Sequence, residues 1–124
     1  MRKLTIGVLA LFISNTTAFA GSGAIAYSKP DDVVGVSHGC RSQRGAKRWA
    51  LLDCRRNGGS DCQIEAYENN ACAAVAIGNG RALGRAWWSH PFGEFEEELS
   101  QQGAVARCNE TGDEDCKLRA RVCH

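Results

Sequence analysis

The spacing of apolar and polar positions changes several times along the chain and marks out its elements. Residues 23–28 and 33–38 are short runs of small and β-branched side chains, and Lys29-Pro30-Asp31-Asp32 between them reads as a turn. Over 42–55 the period lengthens: Ala46, Trp49, Ala50 and Cys54 fall at i, i+3, i+4 and i+8, the stripe of a helix that Gly58-Gly59 ends. From 62 to 68 alternation returns, with Cys62, Ile64 and Ala66 against Gln63, Glu65 and Tyr67, the pattern of a half-buried strand. A second series follows, with strands at 73–78 and 82–89 joined by a hairpin turn at Gly78-Asn79-Gly80. A helix is predicted near 93–108. Glu94, Glu96, Glu97 and Glu98 sit where its N-terminal dipole favours acids, and Phe92, Phe95, Leu99, Gly103 and Ala106 supply its apolar side. The strand at 115–122 places Cys116, Leu118, Ala120 and Val122 inward and Lys117, Arg119 and Arg121 outward.

The two series are copies of one unit. Ala50, Cys54, Gly58, Asp61, Cys62 and Ala66 recur 54 residues later as Ala104, Cys108, Gly112, Asp115, Cys116 and Ala120. Upstream, 23–27 is echoed by 73–77, and Val36-Ser37-His38 by Trp88-Ser89-His90. Units of about fifty residues are too small for separate cores, so the expectation is one domain, residues 21–124, built from units at about 21–72 and 73–124. Its fold class is α+β: a largely antiparallel sheet of about six strands with two helices on one face.

Ahead of the first unit, Arg2 and Lys3 precede an apolar run from Leu4 to Ile13, and Ala18-Phe19-Ala20 forms a small-x-small cleavage pattern. Residues 1–20 therefore read as a secretory signal peptide, with no stable membrane insertion after cleavage. Losing Arg2 and Lys3 turns the formal net charge from +1 to −1, which argues against a nucleic-acid partner. All seven cysteines stay with the mature chain, in a periplasmic or secreted setting where disulfides persist.

The repeat logic pairs Cys54 with Cys62 and Cys108 with Cys116, and leaves Cys72 and Cys123 at equivalent unit ends as a third pair across a pseudo-twofold axis. Zinc is the rival for these sulfurs, but the chain has no C-x-x-C and the spacings fit poorly, so neither metal nor cofactor is expected. Cys40 is left over. It reads as a reactive thiol with His38 or His90 as base, or as a small apolar residue. There is no G-x-S-x-G and no phosphate-cradling glycine loop. Trp87 and Trp88, adjacent on a strand, must face opposite ways. At an offset of 52, Trp88 matches Val36 and turns inward, while Trp87 matches Gly35 and turns outward beside Arg85, the composition of an interface hot spot. Arg41, Arg44, Lys47, Arg48, Arg55 and Arg56 make the first helix strongly basic, a field able to steer a charged partner.

Several segments together look familiar: Gly23 to Ser28, Ala50 to Cys54, Gly58 to Cys62, Asn70 to Ala76 and the close from Cys116 to Cys123. They resemble the bacterial exported family known as domain of unknown function 4189, over essentially the whole mature chain. The resemblance implies a small secreted or periplasmic disulfide domain and carries over no catalytic residues; Cys40 and Trp87-Trp88 depart from the family's pattern. The functional expectation is a non-enzymatic module that binds a protein or cell-envelope component through Trp87 and Arg85. One form would be an inhibitor or immunity protein against a cell-wall-degrading enzyme. The alternatives are a secreted effector or virulence-associated factor, and a thiol enzyme using Cys40 and His38.

Overall fold

A computed structural model describes residues 21–89 and 95–123, so the segment read as a signal peptide, His90 and the first residues of the 93–108 helix lie outside the described residues. The elements run β1 (Ser22–Ser28), β2 (Val33–Cys40), α1 (Gln43–Arg56), β3 (Cys62–Asn69), β4 (Ala71–Ile77), β5 (Leu83–Ser89), α2 (Phe95–Glu110) and β6 (Lys117–Cys123). Each half is strand-strand-helix-strand, and the class is α+β. The six strands are divided between two antiparallel three-stranded sheets, β2-β1-β3 and β5-β4-β6, and do not form a single sheet.

Residue size explains the layering. The central strands alternate small and large side chains: Ala24-Ile25-Ala26-Tyr27 in β1 and Ala74-Val75-Ala76-Ile77 in β4. The large set, with Ala66 and Val122, forms one core between the sheets. The small set faces the helices, Ala24 and Ala26 against Ala46, Ala50 and Cys54, and Ala74 and Ala76 against Ala104 and Cys108. The result is four layers, α1, first sheet, second sheet, α2. The helices therefore cover opposite outer faces and do not share one, and β1 and β4 are buried along their whole length on both sides.

Helix contact through alanine requires a close approach, and glycine permits it. A Cβ on Gly35 would stand 2.1 Å from Cys54 N, and one on Gly84 would stand 1.9 Å from Ala104 O. The buried stripe of α2 is accordingly Ser100, Ala104 and Cys108, the counterparts of Ala46, Ala50 and Cys54. Leu99, placed above on the apolar side, is 37% exposed, because only small side chains fit beneath this helix.

The strict alternation expected of β3 and β6 breaks at a bulge in each, where the register with β1 and β4 shifts. Ile64 and Leu118 turn toward their helices, whereas Ala66, Ala120 and Val122 turn toward the other sheet. The bulge residues Glu65 and Arg119 reach across instead. Glu65 pairs with Arg85 at 3.4 Å and Arg119 with Asp32 at 2.8 Å, one ion pair in each direction between the units.

Cys54–Cys62 and Cys108–Cys116 tie each helix end to the strand that follows, and Cys72–Cys123 joins facing residues of β4 and β6. This third bridge lies within the second unit and does not cross between the two. The chain passes from one sheet to the other at Asn70, a single residue in the left-handed region, which leaves Cys72 on the second side. In the first unit the matching pair is Ser22 and Asn69, joined by a hydrogen bond from the serine hydroxyl.

The turns are held by carboxylates. Asp31 accepts from Ser28 Oγ and from Ser60 N and Oγ, which holds its pKa down to about 2. Asp113 accepts from the backbone of Gly80, Ala82 and Glu114 and is lowered likewise. Tyr27 is pushed up to about 12 by burial and by donating its hydroxyl to Asp32. The folded state thus prefers the neutral phenol: its contribution is complete below pH 10 and is lost as pH rises toward 12. Urea unfolding between those pH values should show this decline in the native protein and a flatter profile in Tyr27→Phe; identical profiles would remove Tyr27 as the cause. On the acid side Asp31 acts in the opposite sense, its contribution being present above about pH 4 and lost as pH falls toward 2.

Candidate binding surfaces

Three parts of the sequence carried candidate chemistry: the Arg85–Trp87 strand, the His38–Cys40 segment and the basic helix. The fold puts the first on an edge strand. Arg85 and Trp87 sit opposite Val75 and Ala73, core residues between the sheets, so both side chains leave β5 on the inter-sheet side at its rim. Trp87 is 44% exposed there, and Arg85 lies beside it, its guanidinium shared with Glu65 of β3. Desolvation raises the Glu65 pKa and the Arg85 charge opposes that rise. On the outer edge of β5 the Arg85 carbonyl already accepts from Arg107 Nη1 at 2.8 Å.

The residue equivalences differ from the offset of 52. Register matches Gly35 with Gly84, since Ala26 faces the first and Ala76 the second. Trp87 therefore corresponds to His38, and the shared Ser-His pair was a coincidence of letters. The physical marker of the alignment was the glycine under each helix. The side chain of Trp88 lies outside the described residues.

His38 and Cys40 do come together, in a depression of about 360 Å³ between β2 and α1 that is also lined by Trp49, Asp53 and Arg56. Gly39 between them has φ +60°, so the strand kinks there as it pairs with the start of β1. Cys40 is the free cysteine, half-buried, with Sγ 3.6 Å from the His38 backbone carbonyl. The sulfur is thus directed at a main-chain oxygen, which cannot take up a thiol proton as an imidazole base would. Among the described residues no group of three or more His, Cys, Asp or Glu side chains is placed to hold a metal ion.

Sequence reading missed Trp49, which it placed in the buried stripe of α1. The residue is 55% exposed, because Ala46, Ala50 and Cys54 form the buried contact with the sheet and Leu51 flanks it on the other side of the helix from Trp49. An indole has no room where a glycine backbone touches the helix. Its neighbours on α1 guard the open edge of β2: Asp53 Oδ2 accepts from Val36 N at 2.8 Å, and Asn57 donates to Val34 O. These contacts spend the edge groups that would otherwise invite another strand. On the far side of the helix, Lys47 lies 4.0 Å from the Tyr67 ring centroid.

A disulfide-stapled α+β module of duplicated design, with aromatic and arginine side chains left at its surface, is the class that these features define. The family model described as "Domain of unknown function (DUF4189)" matches residues 22–123, and the chain belongs to that family. No curated protein matches the chain, and no solved structure does.

Proposed function

We propose that the protein is an exported, non-catalytic binding module that takes a protein or cell-envelope component at the rim of β5, through Trp87 and Arg85. The observation that carries this reading is a tryptophan 44% exposed on an edge strand, with an arginine beside it on the same face. Large amphipathic side chains of this kind dominate binding energy at protein interfaces. An inhibitor or immunity protein against a cell-wall-degrading enzyme is the specific form proposed. Three disulfides in a small domain suit an oxidising compartment, and among the described residues no helix is long and apolar enough to cross a membrane. The direction of the Cys40 sulfur toward a carbonyl weighs against the thiol-enzyme alternative.

Trp87→Ala should weaken capture of the partner from envelope extract by about 2 kcal/mol, roughly thirty-fold, while leaving the melting temperature nearly unchanged. A variant that retains every protein captured by the native module would sink the reading.

A further inference from the structure

We propose that the outward face of α1 is a second recognition surface, independent of the β5 rim, and that its partner is an acidic protein segment whose carboxylates dock on the helix arginines beside Trp49. Arg41, Arg44, Arg48, Arg55 and Arg56 are all exposed on or next to α1, and none of them takes part in an ion pair identified among the described residues. The one carboxylate of the helix, Asp53, is turned toward the sheet edge, where it accepts from Val36 N, and its single negative charge is outnumbered by the helix cations. The helix is 14 residues long, which makes the patch about 20 Å. At one side Trp49 and Arg56 border the depression that His38 and Cys40 close from β2, and its volume of about 360 Å³ is enough for a side chain of the partner.

Charge and side-chain type together favour an acidic protein. Arginine outnumbers lysine here five to one, and its planar fork matches a planar oxyanion such as a carboxylate with two parallel hydrogen bonds, whereas a diffuse field would be served as well by lysine. Tryptophan and arginine together are the side chains enriched at protein hot spots. A lipid surface would require an apolar face to insert, and Trp49 is the exposed large apolar side chain of this helix, with Leu51 and Leu52 half-buried. A nucleic acid would offer phosphates to the same arginines, but residues 21–124 carry a formal net charge of −1, so acidic groups elsewhere on the domain oppose a polyanion.

The test uses the purified, oxidised protein and poly-L-glutamate as the probe. Binding should be followed by tryptophan fluorescence and, separately, by the rate at which a maleimide alkylates Cys40 in the depression. The expected result is saturable binding that slows alkylation several-fold. The charge-conserving variant Arg44→Lys/Arg48→Lys/Arg56→Lys should bind about ten-fold more weakly. Trp49→Phe should lose the fluorescence response while its alkylation remains protected. Circular dichroism and thermal melting verify that each variant folds. Unchanged affinity in the lysine variant would reduce the face to a non-specific field and overturn the proposal. So would tighter binding to phosphatidylglycerol vesicles or to a DNA oligonucleotide, or no protection of Cys40.

Discussion

Replacing Cys72 and Cys123 together by alanine should lower the free energy of unfolding by about 4 kcal/mol, against about 2.5 kcal/mol for either of the other two pairs. The difference follows from loop length. Cys72 and Cys123 are 51 residues apart in sequence, whereas Cys54–Cys62 and Cys108–Cys116 each span 8, and cross-linking distant points removes more freedom from the unfolded chain. The native geometry favours the same order. β6 is an edge strand and the last element of the fold, and the bridge pins its end to the fully buried β4. Where β1 meets β3 in the first unit, the Ser22–Asn69 hydrogen bond takes that place, a contact worth about 1 kcal/mol. Urea melts of the double-alanine variants would measure the ranking, and equal losses for all three pairs would refute it. A loss of this size is a large share of the stability of a small domain, so a reducing compartment would leave little folded protein.

The strand-strand-helix-strand order was legible because turns and periodicity are local: Lys29 to Asp32, Gly58-Gly59 and Gly78 to Gly80 punctuate it directly. Which face each residue takes was less legible, because that depends on partners distant in sequence. A four-layer arrangement buries both faces of a strand, so alternation in β1 and β4 encodes small against large, Ala24 against Ile25 and Ala74 against Val75, and not polar against apolar. One extra residue at Glu65 and at Arg119 inverts the faces of everything beyond it, and no local pattern announces a bulge. Among the site residues, alternation in β5 separates Trp87 from Trp88, but the offset of 52 that turned Trp87 outward does not match the register: its side chain leaves on the inter-sheet side and is exposed because β5 lies at the rim. The exposure of Trp49 was not legible, since a wide apolar stripe on α1 and the narrow alanine stripe that the sheet accepts include the same i+3 neighbour.

Gly84→Ala should destabilise the protein by about 3 kcal/mol, the upper range for forcing an extra methyl into a packed contact. The added carbon would lie 1.9 Å from Ala104 O, 2.4 Å from Cys108 N and 2.9 Å from Cys108 Cβ. Two of these atoms are helix backbone, so no rotamer change relieves the overlap, and α2 must lift by at least about 1 Å from its sheet. Lifting it opens gaps along the whole alanine seam, where Ala74, Ala76, Ala86 and Ala104 have no longer side chain to fill them. It also pulls on the Cys108–Cys116 bridge anchored at the same helical turn. Gly45→Ala is the contrasting change, since only Ser42 Oγ lies near, at 3.2 Å, and alanine is the better helix former; its effect should stay within about 1 kcal/mol of zero. Thermal or urea unfolding of the two variants side by side measures the contrast. Near-native stability in Gly84→Ala would mean that α2 does not ride directly on the β5 backbone. Because Gly35 meets α1 in the same way, 2.4 Å from Ala50 O, the same substitution there should reproduce the loss and tilt the helix that carries Trp49 and its arginines. The glycine beneath each helix thus does more than permit the fold: under α1 it sets the height at which the proposed recognition face stands.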